Sequence, residues 1–288
     1  VTHRTAEQDG RTFEGPPRTP TPPAHGSGRG GGGARILRVL GELLITLGVI
    51  VLLFVFYEVY VTDWFSAQKQ RQVTERLEQQ WQNNRGNGLG PLDGQAFARL
   101  YIPALGPDYH FSVVQGTNAK DLEAGPGHYR DTAMPGQRGN FAVAGHRVGR
   151  GAPFNDLDLV QSCDAIVVET ADHWYVYRML PETGEVGGWA QGRGAQPRCA
   201  NSHVQPLGGA YRDVHGKDIV QPDQGQVIDP IPGQPSDAVV PQAQASLITL
   251  TTCHPKFSAR ERLILHGVLV KSYEKSGDSM PPELGETN

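Results

Sequence analysis

The sequence predicts an all-β domain, a barrel or a sandwich, carried on one apolar N-terminal helix. Three observations lead there. From Ala96 onward, short runs of branched and aromatic residues recur between turn-forming Gly and Pro clusters. The alternating strand–helix units of a doubly wound sheet do not appear. One long apolar stretch, ILRVLGELLITLGVIVLLFVFYEVYV at 36–61, precedes all of this.

Residues 1–35 are rich in Pro, Gly, Thr and Arg and hold too little apolar surface to offset the entropy of ordering, so a disordered tail is expected. Its GRGGGG run is not a phosphate loop, because no strand precedes it and no G-K-[ST] follows. A bilayer core takes about 20 apolar residues. The stretch 36–61 supplies that length, with Glu42 and Glu58 near its ends and Tyr57, Tyr60 and Trp64 placed for an interfacial belt. No small-x-small cleavage site follows it, so a transmembrane anchor is expected rather than a cleaved signal peptide. Residues 1–38 hold six basic residues (Arg4, Arg11, Arg18, Arg29, Arg35, Arg38) against Glu7, Asp9 and Glu14, in a chain of net charge −4. By the positive-inside rule the N-terminus is cytoplasmic and everything after residue 62 lies outside the cell membrane. The net charge gives no sign of a nucleic-acid partner.

Residues 62–94 read as a stalk helix and linker. Phe65, Val73, Leu77 and Trp81 form a thin apolar stripe, and NNRGNGLGPLDG at 83–94 marks a boundary. The domain proper spans 95–273. Its expected strands are 97–102, 111–114, 140–144, 165–169, 174–180, 226–231, 247–253 and 262–270, with short helices at 119–123 and 155–159. Residues 181–222 show no sustained period and read as a long loop or insertion. Residues 274–288 are expected to be a disordered C-terminal tail.

Chemistry concentrates at 246–270, SLITLTTCHPKFSARERLILHGVLV: two strands joined by a basic loop, with Cys253 at the end of the first. Nearby cations, here Arg260 and Arg262, favour a thiolate nucleophile. Most isolated cysteines are simply small buried residues, so the partner decides. Of ten histidines, His146 ranks first: it closes the run NFAVAGH at a strand end and is followed by a glycine-rich turn. His254 adjoins the thiol, but successive strand residues point to opposite faces. Three cysteines in an exported domain leave Cys163 and Cys199 beside Cys253; a disulfide and two free thiols are both open. No C-x-x-C or H-x-x-x-H spacing suggests a metal, and no cofactor is implied.

At these residues the chain resembles the sortases, most of all the class E sortases of high-GC Gram-positive bacteria. TLTTC at 249–253 with Arg262 nine residues on, GPGHY at 125–129, PGQRGNFAVAGHR at 135–147 and FNDL at 154–157 carry the resemblance. It implies an eight-stranded sortase-type β-barrel and a catalytic set of Cys253, His146 and Arg262, the nine-residue spacing favouring Arg262 over Arg260. Thr251 and Thr252, just before the thiol, become the expected substrate-binding neighbours. The resemblance further implies a cysteine transpeptidase of the cell wall. It would cleave an LPxTG- or LAxTG-like C-terminal sorting signal in secreted proteins through a thioacyl-enzyme, then transfer them to an amine of the peptidoglycan precursor (lipid II). The 181–222 segment departs from the family pattern as an insertion. An L,D-transpeptidase lacks support because its S-H-G-C signature is missing. A non-catalytic membrane-anchored binding module is the alternative from a different class.

Overall fold

In the computed structural model, residues 31–57, 62–83, 91–149, 151–235, 238–276 and 279–287 are described. The expected disordered tail falls outside them up to residue 30, as does most of the 83–94 linker. The chain divides into two units, Val1–Leu52 and Leu53–Asn288. The first helix, α1 (Gly31–Phe56), carries a segment, Arg35–Phe56, long and apolar enough to cross a membrane, none of it buried in the protein.

Among the described residues, branched and aromatic runs produce nine strands: β1 (Ala96–Tyr101), β2 (His110–Gln115), β3 (Gly127–His128), β4 (Gly139–Ala144), β5 (Ala165–Glu169), β6 (His173–Met179), β7 (Lys217–Val220), β8 (Ser246–His254) and β9 (Glu261–Glu274). Eight of them close into a barrel in the order β6-β5-β1-β2-β3-β4-β8-β9, with β9 returning to β6; β7 lies beside the first half of β9. All-β with eight barrel strands is therefore the fold. Alternate residues of each strand fill the interior: Leu100, Phe141, Val143, Ile248, Leu250, Leu263 and Leu265 are all at most 1% exposed.

Two expected details are corrected. The segment 226–231 is no strand; it begins as a 3-10 turn, Gly225–Ile228, and Pro230 and Pro232 cannot donate to a ladder. The eighth barrel strand is instead β3, whose two residues are too short to show a period, and β7 arises inside the presumed loop. The helix expected at 155–159 is a 3-10 turn, Leu157–Leu159, whereas that at 119–123 forms as α3 (Ala119–Ala124), capped by the Asn118 side chain.

The other α-helices are α2 (Thr62–Asn83), α4 (Thr183–Val186) and α5 (Pro197–Ser202). Val73, Leu77 and Trp81 of α2 pack on Ala96 and Val114 of the barrel, so the stripe that sequence periodicity marked is a docking face. Gln70 fixes the height of the helix, accepting from Ser112 N at 3.0 Å and donating to Ala124 O. Segment 181–222 is ordered around α4, α5 and β7. Cys163 and Cys199 are joined by a disulfide with Cα atoms 5.1 Å apart, packed with Trp189 and Val204. The C-terminus is not the disordered tail expected from residue 274. After β9 a 3-10 turn, Pro282–Gly285, buries Glu283 against the Tyr273 hydroxyl (3.0 Å), and Glu286 forms a bidentate pair with Arg178, Nη2–Oε1 2.8 Å. Those partners lie on β6 and β9, far in sequence from the tail, and composition cannot reveal them.

Candidate active site

The site is built on β8, which is buried along most of its length because both its neighbours are strands. β4 runs parallel to it with Ala142↔Thr249 and Ala144↔Thr251; β9 runs antiparallel with Thr251↔Ile264 and Cys253↔Arg262. The β4–β8 seam continues past the last pair, with Gly145 N donating to Thr251 O (3.0 Å) and Thr252 Oγ1 donating to Gly145 O (2.8 Å). The ladder ends there, with His146 two residues past Ala144 and Cys253 two residues past Thr251. Cys253 thus sits on the middle strand, with Arg262 opposite it on one flank and the strand that leads into His146 on the other.

Parity decides which face they share. Ile248 and Leu250 fill the interior, as do Phe141, Val143, Leu263 and Leu265. Cys253, Thr251 and Thr249 belong to the opposite, outward set, and so do Ala144, Ile264 and Arg262. The candidate site is on the outside of the barrel wall. Cys253 is the free cysteine and is half-buried, as are His146 and Arg262.

Gly145 permits this arrangement. A Cβ there would lie 2.5 Å from the Phe154 ring, and Phe154 is fully buried. The loop leaving His146 folds straight back, with Phe154 N donating to His146 O at 3.0 Å, so the backbone on both sides of the imidazole is pinned. The Arg262 guanidinium donates to Ala259 O (2.9 Å) and Glu261 O (3.0 Å), carbonyls of the β8–β9 loop. Arg260 is exposed and precedes β9, with no ladder position opposite the thiol.

The two threonines separate. Thr251 lies on the site face and its hydroxyl meets the Tyr129 hydroxyl at 3.0 Å. Thr252 points the other way, is 3% exposed and spends its proton on Gly145 O, so it braces the seam instead of facing a substrate. Beside Tyr129 opens a cleft of about 430 Å³ lined by Thr117, Asn118, Tyr129, Thr132 and Ile228.

The rival histidines are held otherwise. His128 is buried between Gln115 Oε1 (2.8 Å) and Ala133 O (3.1 Å), and burial pushes its pKa down to about 4. His266 is buried on β9, where burial pushes its pKa down to about 3; its Nδ1 lies 2.8 Å from Thr249 Oγ1, which donates to Asn140 Oδ1. Both are neutral struts. His254 Nδ1 faces Arg147 at 2.9 Å, on the side away from the thiol. Among the described residues, no group of three or more His, Cys, Asp or Glu is placed to hold a metal. Sequence reasoning missed Tyr129 and Arg147, although both stand in quoted motifs (GPGHY and AGHR). Their neighbours drew attention as titratable groups, and only the packing shows what these two touch.

A closed barrel that bears a free, half-buried cysteine on its outer wall, opposite an arginine on the next strand, fits one class: the cysteine transpeptidases. The comparisons agree. Residues 100–270 match the family model of the Sortase domain. The chain is similar to Sortase SrtE2 of Streptomyces coelicolor, 31% identical over 265 residues that cover 87% of this chain and 88% of that protein. It is also similar to Sortase SrtE1 of the same organism, 31% identical over 246 residues, covering 83% of this chain and 58% of that one. Among solved structures it is similar to the SrtF sortase from Corynebacterium diphtheriae, with 43% identity, a TM-score of 0.61, and coverage of 70% of this chain and 98% of that chain. The chain belongs to the sortase family, and two of its curated relatives, SrtE1 and SrtE2, are class E members of that family.

Proposed function

We propose that this transpeptidase cleaves an LAxTG- or LPxTG-like signal near the C-terminus of secreted proteins and joins them to an amine of the peptidoglycan precursor lipid II. Cys253 is the nucleophile in this reading, His146 the proton carrier and Arg262 the stabiliser of the developing oxyanion. The observation that supports it is the register: one ladder pairs Cys253 with Arg262, and the other ends two residues short of both His146 and Cys253.

The chemistry follows from the residue types. The Cys253 thiolate attacks the scissile carbonyl and forms a tetrahedral adduct. His146, as imidazolium, gives its proton to the departing amine, leaving a thioacyl-enzyme. Now neutral, it takes a proton from the incoming amine as that amine attacks the thioester, and Cys253 leaves as thiolate. Arg262 reaches the oxyanion by exchanging its loop carbonyls, Ala259 O and Glu261 O, for the substrate oxygen. A positioned donor of this kind is worth about 10²–10³ in kcat. Thr251 and the cleft beside Tyr129 lie along the same face and would receive the peptide. Thr252 acts from beneath. The helix α1 serves as a single-pass anchor, with the N-terminus cytoplasmic and the barrel outside, where both the secreted substrates and the wall precursor are found.

The test uses the full chain in detergent micelles with an L-A-x-T-G peptide, an L-P-x-T-G peptide and an amine acceptor. Wild type should yield cleaved and amine-coupled product from at least one peptide, and Cys253→Ala should yield neither. A wild type that binds the peptide without forming product would favour the anchored binding module and sink the transpeptidase reading of this site.

A further inference from the structure

Arg147 follows His146 directly, in the bend beyond β4, and its side chain is turned toward His254. It is 3% exposed. A buried guanidinium is costly unless it is partnered; Nε of this one has no hydrogen-bond partner among the described residues, but its two Nη atoms reach two other segments of the chain. Nη1 donates to His254 Nδ1 at 2.9 Å and lies 3.4 Å from the Cys253 carbonyl oxygen; Nη2 pairs with Asp158 Oδ1 at 3.0 Å. One rigid fork therefore joins the residue after His146, the carbonyl of Cys253, the side chain after Cys253, and the 3-10 turn Leu157–Leu159. The β4–β8 ladder ends at Ala144↔Thr251, and His146 and Cys253 each lie two residues beyond it.

We infer that Arg147 is a positioning residue for the reaction: from behind the site it fixes the separation of the Cys253 thiol and the His146 imidazole. The inference rests on the assignment of those two residues as nucleophile and proton carrier. Arg147 itself touches no reacting atom. A lysine in its place keeps the charge beside Asp158 but offers a single point donor, which cannot hold His254 and Asp158 in one plane. The strand ends then drift, and a displacement of about 1 Å between reacting groups costs on the order of 100-fold.

The experiment compares wild type, Arg147→Lys and Arg147→Gln as full chains in micelles. With Cys163 and Cys199 bonded, Cys253 is the one thiol that alkylates, so its titration counts folded, competent sites. Each kcat is divided by that count, at a temperature well below the variant's melting point. Arg147→Lys should fold and lose tenfold or more in kcat per titrated thiol, with KM within about twofold; Arg147→Gln should lose more. A purely structural arginine would lower the titrated count and leave kcat per thiol unchanged, which overturns the inference, as does a large rise in KM with kcat intact. If wild type transfers no peptide, the substrate reading fails separately, and the rate of Cys253 alkylation by iodoacetamide decides instead. It should fall several-fold in Arg147→Lys, and an unchanged rate overturns the positioning role. Where Arg147→Gln does not fold, the lysine variant alone carries the comparison.

Discussion

Gly145→Ala is the smallest change that should damage both the fold and the site. The added Cβ would stand 2.5, 2.7 and 2.8 Å from three atoms of the Phe154 ring, where ordinary carbon contacts lie at about 3.5–4.0 Å. Gly145 is not in the left-handed region, so the whole cost is collision. Neither side can yield easily. Phe154 is fully buried in the barrel core, and Gly145 is bonded to β8 through both its N–H and its carbonyl. Overpacking of this sort costs about 1–3 kcal/mol, and for a protein of this size each kcal/mol moves the melting point by roughly 2–4 °C. A fall of several degrees is expected. If the backbone gives way instead of the ring, His146 moves with it, and kcat per titrated thiol should drop by roughly 10- to 100-fold. Calorimetry and the peptide-transfer assay read the two effects. The double variant Gly145→Ala/Phe154→Leu makes room for the methyl and should recover part of both losses, with a coupling of about 1–2 kcal/mol. A single variant that melts within a degree of wild type with unchanged kcat, or strict additivity in the double variant, would refute the argument.

Two further expectations concern stability. His128 and His266 are held neutral, at about 4 and about 3, whereas an unfolded histidine titrates near 6.5. Between those values the unfolded chain binds protons that the native one does not, so stability is full above about pH 6.5 and falls as pH drops toward 4, by up to about 1.4 kcal/mol per pH unit for each group. Melting curves from pH 7 to 4.5 should show this, and His128→Gln should show a shallower slope; parallel slopes would count against the assignment. The Cys163–Cys199 bridge closes a loop with a sequence separation of 36, worth about 4 kcal/mol in the chain-entropy picture. Reduction should lower the melting point by on the order of 10 °C while leaving kcat per folded protein within about twofold, because no described residue packed around the bridge belongs to β4, β8 or β9. An unchanged melting point would mean that Trp189 and Val204 alone hold the 181–222 segment.

Much of the site was legible in the sequence because its chemistry is local. The thiol, its nine-residue spacing to Arg262 and the glycine before His146 are short patterns with direct physical meaning. Elements with a long, clean period were equally legible: the apolar helix, the α2 stripe, and the strands around Leu100, Phe141, Ile248 and Leu265. What failed had no such signal. QVIDPI mimics a strand until Pro230 and the Pro232 just after it are weighed, β3 is two residues long, and the C-terminal end looked solvent-bound because Arg178 and Tyr273 are remote from Glu286 and Glu283.

The sequence by itself determined the materials: an apolar segment of membrane length, an all-β domain, and a cysteine, a histidine and an arginine at strand ends. It could not say which face of the wall they share, nor whether they meet. A strand's period of two fixes only relative parity. Absolute orientation comes from the closure of β9 on β6 and from the parallel seam between β4 and β8. That closure turns Thr252 inward and Thr251 outward, sets Cys253 between its two flanking strands, and buries Arg147 behind them. Such decisions rest on contacts between residues about a hundred positions apart, and packing alone makes them.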